Sequence, residues 1–309
     1  MKGKKRNEYS IYYNSKHNRS VCLNTVLDVL EKLGTPKSVA MAICLRYKTF
    51  DKSAFDICPS NYFDAYSYYL DAQAVALVKK SVWYIEPNEK ELSSKAIAQW
   101  KSIESDLLQK NLEIAGRKNF ALNSILDSAA KIISNLLPKT PDERLDVIRI
   151  PTGASALLTG LDVNIANKLE VLDITPSAWP YFRKKYGSTV LAKSIQTIVS
   201  SLGAEFNTAA KDFFKVRTLV KEPMGNMCLQ LEAAQTLRYA LKKVGIDLET
   251  QQEFHGFLVR KFWDTYATID LSDASDRIST ELVKAVLPLE WFTYLNRIRS
   301  QHIFIDGER

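Results

Sequence analysis

Residues 266–287, YATIDLSDASDRISTELVKAVL, decide how the rest of the chain is read. Tyr266 to Ile269 form a short apolar run that ends on Asp270, and its composition predicts a strand. A Ser/Asp-rich turn follows and leads into an amphipathic helix with Ile278, Leu282, Val283 and Val286 inward. A carboxylate that closes a buried strand is held rigidly at the crevice above a sheet, where a hard divalent cation needs a fixed oxygen ligand. Asp270 is therefore the candidate metal ligand, and Asp276 is expected in the first helical turn, facing the same crevice. Asp273 and Ser275 have a plainer reading as helix N-caps, which need no chemistry.

Upstream, residues 20–137 read as a succession of helices. VCLNTVLDVLEKLG and YFDAYSYYLDAQAVALVKK repeat apolar residues at helical spacing, the tyrosines of the second being expected in the core. NEKELSSKAIAQWKSIESDLLQKNLEIAG opens on helix-starting Asn and Glu and stops at Gly116, and ALNSILDSAAKIISNLLPK stops at Pro138. PTGAS at 151–155 reads as a loop that approaches a ligand closely, or as a plain turn. Helical patterns resume between Pro176 and Gly203, where Arg183, Lys184 and Lys185 sit beside Trp179 and Phe182. Basic residues among aromatics suit nucleic acid, and equally a solvated face over core aromatics. Lys211, Lys215, Arg217 and Lys221 against Asp212 make a cationic strip just before another helix.

Composition bounds the class. A chain of 309 residues with 46% hydrophobic and 25% charged residues folds around a sizeable core. Its formal charge of +7 tilts the expectation toward polyanionic partners. The four cysteines lack CxxC spacing and the three histidines are scattered, which argues against zinc modules and a disulfide framework and for a reducing cytoplasm. No apolar run approaches the roughly 18–20 residues that span a bilayer, so no membrane is expected. The basic opening MKGKKR has no apolar stretch after it and is read as a solvated end rather than a leader.

ATIDLSDASDRIS resembles motif A of the RNA-dependent RNA polymerases of the leviviruses, the positive-strand RNA bacteriophages. The similarity continues through Pro288, Trp291, Phe292, Leu295, Arg299 and Ser300. Upstream it takes in Arg217, Glu222, Pro223, Asn226, Gln230, Leu237, Arg238, Gly245 to Leu248 and Gln251, in the family's order, and the PTGAS loop. Residues 1–140 match only in helical pattern. The resemblance implies an α/β fold, predominantly helical, comprising the fingers and the beginning of the palm of a right-hand viral polymerase. It divides the chain into an N-terminal helical region at 1–140, a fingers region with a motif F-like basic segment at 141–260, and first palm elements at 261–309. It implies RNA-directed RNA synthesis by a two-metal mechanism with magnesium as cofactor. Asp270 would bridge the ions and the Leu271 carbonyl would assist. Lys211 and Arg217 would guide the triphosphate, and Ser275 or Asp276 would read the ribose 2′ hydroxyl. Asp273 stands where the family often has a small residue.

The chain contains no Asp-Asp pair and no segment recognisable as motif B or motif C. One carboxylate-bearing segment cannot hold two hard cations, so the chain alone is expected not to polymerise RNA. It reads either as part of a longer gene product or as one half of a split polymerase, partnered by a C-terminal half carrying motifs B and C. The implied partners are an RNA template, ribonucleoside triphosphates, host translation elongation factors and a ribosomal protein, in the cytoplasm of an infected bacterium. The alternative is a non-catalytic RNA-binding protein of polymerase fold. A narnavirus-like polymerase is a further alternative, against which the GIDLxxQ segment favours the phage family.

Overall fold

A computed structural model describes residues 16–49, 52–80, 89–141, 149–212, 215–262, 264–267, 269 and 271–305. The basic opening and Asp270 lie outside the described residues. The chain divides into two compact units, one of Met1–Ala98 with Thr208–Leu219 and one of Gln99–Asn207 with Val220–Arg309.

The first unit is helical. α1 (Lys16–Leu33) ends at Gly34, whose φ of 65° lies in the left-handed region that glycine adopts without a Cβ penalty. Thr35 then caps α2 (Pro36–Tyr47): its hydroxyl accepts from the Ser38 N–H, the Ser38 hydroxyl accepts from the Thr35 N–H, and Pro36 supplies a preset φ. α3 (Ala65–Lys80) turns Ala74, Val75 and Val78 onto Leu30, Met41, Leu45 and Phe55 to form the core of this unit. Asp71, buried on α3, accepts from the Thr35 hydroxyl and, at 2.8 Å, from the Tyr62 hydroxyl. Burial and that carboxylate push the Tyr62 phenol up to about 12. The tyrosines of this stretch are not the core: Tyr66 and Tyr69 are exposed, because the inward stripe of α3 is set by Asp71, Ala74, Val75 and Val78 instead.

The long helix α4 (Glu89–Gly116) carries the chain into the second unit, where α5 (Phe120–Leu136) follows, capped by the Asn119 side chain accepting from the Leu122 N–H. After the short α6 (Ile165–Glu170), β1 (Val171–Ile174) runs parallel to β2 (Thr197–Ser200), with Val171 opposite Thr197 and Ile174 opposite Ser200. The crossover holds α7 (Trp179–Tyr186) and α8 (Val190–Ser194). The helical expectation for 176–203 therefore fails at its end: Thr197, Ile198 and Val199 are β-branched and find a partner in β1. β3 (Ala204–Asp212) lies between β4 (Lys215–Lys221) and β5 (Ile303–Phe304), and pairs in parallel with β5. The basic strip is thus a β-ribbon.

α9 (Met224–Lys243) is the spine of the second unit and packs on β1 and α7. A Cβ at Gly225 would stand 2.9 Å from the Ile174 Cβ, so only glycine lets the helix approach the strand this closely. Leu172, Ile174, Phe182, Met224, Leu229 and Ile298 fill the core. α10 (Gln251–Lys261) buries none of its residues. α11 (Thr280–Val286) packs on α5, and α12 (Leu289–Ile298) is held by fully buried Trp291, whose indole N–H donates to the Pro138 carbonyl at 2.8 Å. No helix among the described residues is long and apolar enough to cross a membrane.

The strand expected before Asp270 is absent from the described residues. Tyr266, Ala267, Ile269 and Leu271 carry no secondary structure, and Tyr266, Ile269 and Leu271 are 47%, 83% and 71% exposed. β-propensity makes a strand only where a neighbour takes up the backbone hydrogen bonds. The five described strands pair among themselves, as β1 with β2 and as β4, β3, β5. The helix also starts later than expected. Ser272–Arg277 are successive turns and Ser279 is the cap, its hydroxyl accepting from the Leu282 N–H at 3.2 Å. Asp276 is accordingly in a turn, and Ile278 is exposed rather than inward.

Candidate nucleotide and RNA site

The residues just after the basic ribbon build a polar frame inside the second unit. Pro223, two residues past the end of β4, caps the start of α9, which aims the N–H of Met224 at the buried carboxylate of Asp173 on β1, 2.9 Å away. The other oxygen of Asp173 accepts from the Leu157 N–H at 3.1 Å, so one carboxylate joins strand, helix and loop. Burial raises the Asp173 carboxyl, against the lowering effect of these N–H donors. The loop that contains PTGAS is tied twice more. The Ala156 N–H donates to the Glu222 carbonyl at 3.1 Å, and the ammonium of Lys168, buried under the loop, donates to the Pro151 carbonyl and, at 2.7 Å, to that of Gly153. Desolvation lowers the Lys168 amine. Gly153 meets open space, so the loop is anchored from below and bare above.

The same frame grips the far end of α12. Asn226 accepts from the Thr175 N–H at 3.0 Å and donates to the Ile298 carbonyl at 2.9 Å, which Gln230 also meets at 3.1 Å. Glu222 accepts from the Ser300 N–H at 3.1 Å and from the Ser300 hydroxyl at 2.5 Å. Glu222, Asn226, Gln230 and Ser300, all part of the family resemblance, form one hydrogen-bonded clasp between the start of α9 and the end of α12. Deeper along α9, Lys185 and Glu232 form a buried ion pair, and Tyr186 donates to Glu232 at 2.7 Å. Burial, chiefly, pushes the Tyr186 phenol up. The basic, aromatic α7 is thus partly structural: Phe182 is core and Lys185 is spent on Glu232.

Sequence reasoning missed Lys168, Asp173 and the Lys185–Glu232 pair. A signal existed for two of them. Lys168 and Asp173 each stand directly beside a leucine in IANKLEVLDI, Asp173 inside the apolar strand pattern VLDI, where a charge has to find a buried partner.

The segment after Asp270 is positioned from outside by α4. Gln99 donates to Asp273 at 2.9 Å, Arg277 stands 3.8 Å from Asp106, and the Asn111 side chain accepts from the Glu281 N–H at 3.0 Å. Asp273 takes a left-handed φ of 53°, a conformation that Asp tolerates better than most residues. Ser275 donates to Asp276 at 3.3 Å, and partial desolvation with the Asp276 carboxylate raises Glu104. Leu271 and Ser275 are exposed and Asp276 is half-buried. Among the described residues, no group of three His, Cys, Asp or Glu side chains is arranged to hold a metal ion. The described residues therefore do not by themselves fit a magnesium site.

Lys211, Lys215 and Arg217 are exposed on the β3–β4 ribbon and group with the first unit, whereas Ser275 and Asp276 belong to the second. Lys215 and Arg217, two apart on β4, share a face, so the ribbon presents Lys215 alongside the two residues singled out from the sequence.

The RNA-directed RNA polymerase beta chain of Escherichia phage MS2 is 46% identical over 93 residues, 30% of this chain and 17% of that protein. The RNA-directed RNA polymerase subunit beta of Enterobacteria phage SP is 34% identical over 141 residues, 44% of this chain and 24% of its own length. That of Qbeta virus (strain MX1) is 32% identical over 145 residues, covering 44% and 23%. The matched stretches thus span less than a quarter of these relatives. The family described as RNA replicase, beta-chain, matches residues 78–309, more than half of the sequence, and on that match the chain belongs to the RNA replicase beta-chain family.

Proposed function

We propose that this chain supplies the fingers and the first palm segment of an RNA-directed RNA polymerase, joining ribonucleotides on an RNA template. The observation that carries the reading is the clasp of Glu222, Asn226 and Gln230 on Ile298 and Ser300, which joins the upstream and downstream parts of the family resemblance by hydrogen bonds. In this reading Lys211 and Arg217 pair with the triphosphate of the incoming nucleotide, Arg217 by its forked donors. Ser275 donates to Asp276, which leaves the second Asp276 oxygen to accept from a ribose 2′ hydroxyl and so to favour RNA precursors. Asp270 and the Leu271 carbonyl are the chain's ligands toward a divalent cation. Among the described residues no cluster of acids joins them, so the remaining carboxylates have to come from elsewhere.

The exposed run Tyr266, Ile269 and Leu271 is the face that a complementary segment with motifs B and C would cover, giving the run its strand partners and the site its further acids. Host elongation factors, a ribosomal protein and the cytoplasm of an infected bacterium follow from the same reading. The test is complementation: mixed with a polypeptide carrying motifs B and C, the chain gives template-dependent RNA synthesis that Asp270→Asn abolishes. RNA binding without any synthesis in that mixture overturns the reading in favour of a non-catalytic RNA-binding protein.

A further inference from the structure

α12 buries Trp291, Tyr294 and Ile298 and turns its other side to two adjoining grooves. One, of about 390 Å³, is lined by Ser177, Phe292, Thr293, Asn296, Arg297 and Gln301. The other, of about 240 Å³, takes in Ser279, Thr280 and Arg299 and shares Phe292 and Asn296 with the first. Neither is lined by a carboxylate.

Both arginines are exposed, and among the described residues neither has an acidic partner within ion-pair distance. Arg299 is nonetheless oriented: its Nε donates to the Asn296 side chain at 2.9 Å, which leaves the outer guanidinium nitrogens pointing away from that bond. Gln301 donates to the Asn296 carbonyl at 2.6 Å and fixes the rim. The half-buried Phe292 ring lies between the two cationic grooves. Two unneutralised guanidiniums on either side of an aromatic ring, with hydroxyl and amide donors and no acid, match the alternation of phosphate and base along a single strand.

We propose that these grooves form a seat for single-stranded RNA, Arg297 and Arg299 each taking a backbone phosphate and Phe292 stacking a base. The proposal rests on the polymerase reading for its choice of RNA, but is tested without synthesis. Binding of a short fluorescent single-stranded RNA to the full chain is measured from about 50 to about 200 mM salt. Each single-strand phosphate contact contributes about 0.7 to the log–log salt slope, so R297Q/R299Q should flatten the slope by about 1.4, and wild type should lose roughly sevenfold more affinity than the variant across that range. R297K/R299K should keep the wild-type slope, and all three proteins should share one melting midpoint, because both side chains are exposed. A wild-type slope in R297Q/R299Q, or no RNA affinity in wild type, overturns the seat, as does displacement of the RNA by polyglutamate as readily as by unlabelled RNA, which would point to an acidic protein segment. Failure here, with synthesis restored and abolished by Asp270→Asn in the complementation mixture, would remove the seat and leave the polymerase reading standing.

Discussion

Residues 222–230 and residues 266–278 carry equally dense pieces of the family resemblance, and the structure treats them in opposite ways. The first stretch is enclosed: Met224, Asn226, Cys228 and Leu229 are fully buried, and Glu222, Asn226 and Gln230 are all engaged by backbone or hydroxyl groups of other elements. The second is open, with Ile269 and Leu271 mostly exposed and its turns steadied by α4 rather than by a sheet. A scaffold can complete its own hydrogen bonds inside one chain. The second stretch has no such closure: its apolar residues Ile269 and Leu271 lie in solvent, and in the polymerase reading proposed above they are the ones that need a neighbour.

The contrast is breakable. The largest expected effect is at the buried ion pair beneath the scaffold. Lys185→Met leaves the Glu232 carboxylate buried with the Tyr186 hydroxyl as its donor, and should cost about 3–5 kcal/mol in denaturant unfolding. Adding Glu232→Met should recover most of that loss, because the cost lies in the orphaned charge rather than in the missing attraction. Less costly is Asn226→Ala, which strips the Thr175 N–H of its acceptor while Gln230 still serves the Ile298 carbonyl. A loss of about 1–3 kcal/mol is expected, and a loss near zero would show the clasp to be ornamental.

The smallest effect on stability belongs to the open segment. Ile269→Cys should change unfolding by no more than about 0.5 kcal/mol, since it removes no buried contact. Its thiol should be alkylated in the native chain at the rate of exposed Cys58, whose thiol the Ser60 hydroxyl holds below its ordinary value. Cys228, fully buried and pushed up to about 12 mainly by desolvation, should resist until the scaffold unfolds. Adding a polypeptide with motifs B and C should slow labelling at position 269 and leave Cys58 unaffected. Equal labelling of Cys228 and the position 269 cysteine would erase the distinction between the two stretches.

Much of the fold was legible locally. The stops read at Gly116 and Pro138, against observed helix ends at Gly116 and Leu136, follow from periodicity and punctuation that a few neighbouring residues contain. The misreadings share one cause. Tyr66 and Tyr69 have the right spacing for a core, but the helix is rotated by what α1 and α2 offer it. Tyr266–Ile269 has the right composition for a strand, but pairing is supplied by distant chain. Ser279 rather than Asp273 or Ser275 caps α11, because the helix begins where α5 and α4 can receive it.

The sequence by itself determined the residue types on which the candidate chemistry depends: the acids of 270–276, the cations of 211–221, and the ordered set from Glu222 to Ser300 that marks the family. Only the tertiary structure decided which polar residues are structural and which remain open. A carboxylate such as Asp173 and one such as Asp276 look alike in a string of letters; burial, the direction of nearby N–H groups and the presence of a pairing strand are properties of chain brought together from afar.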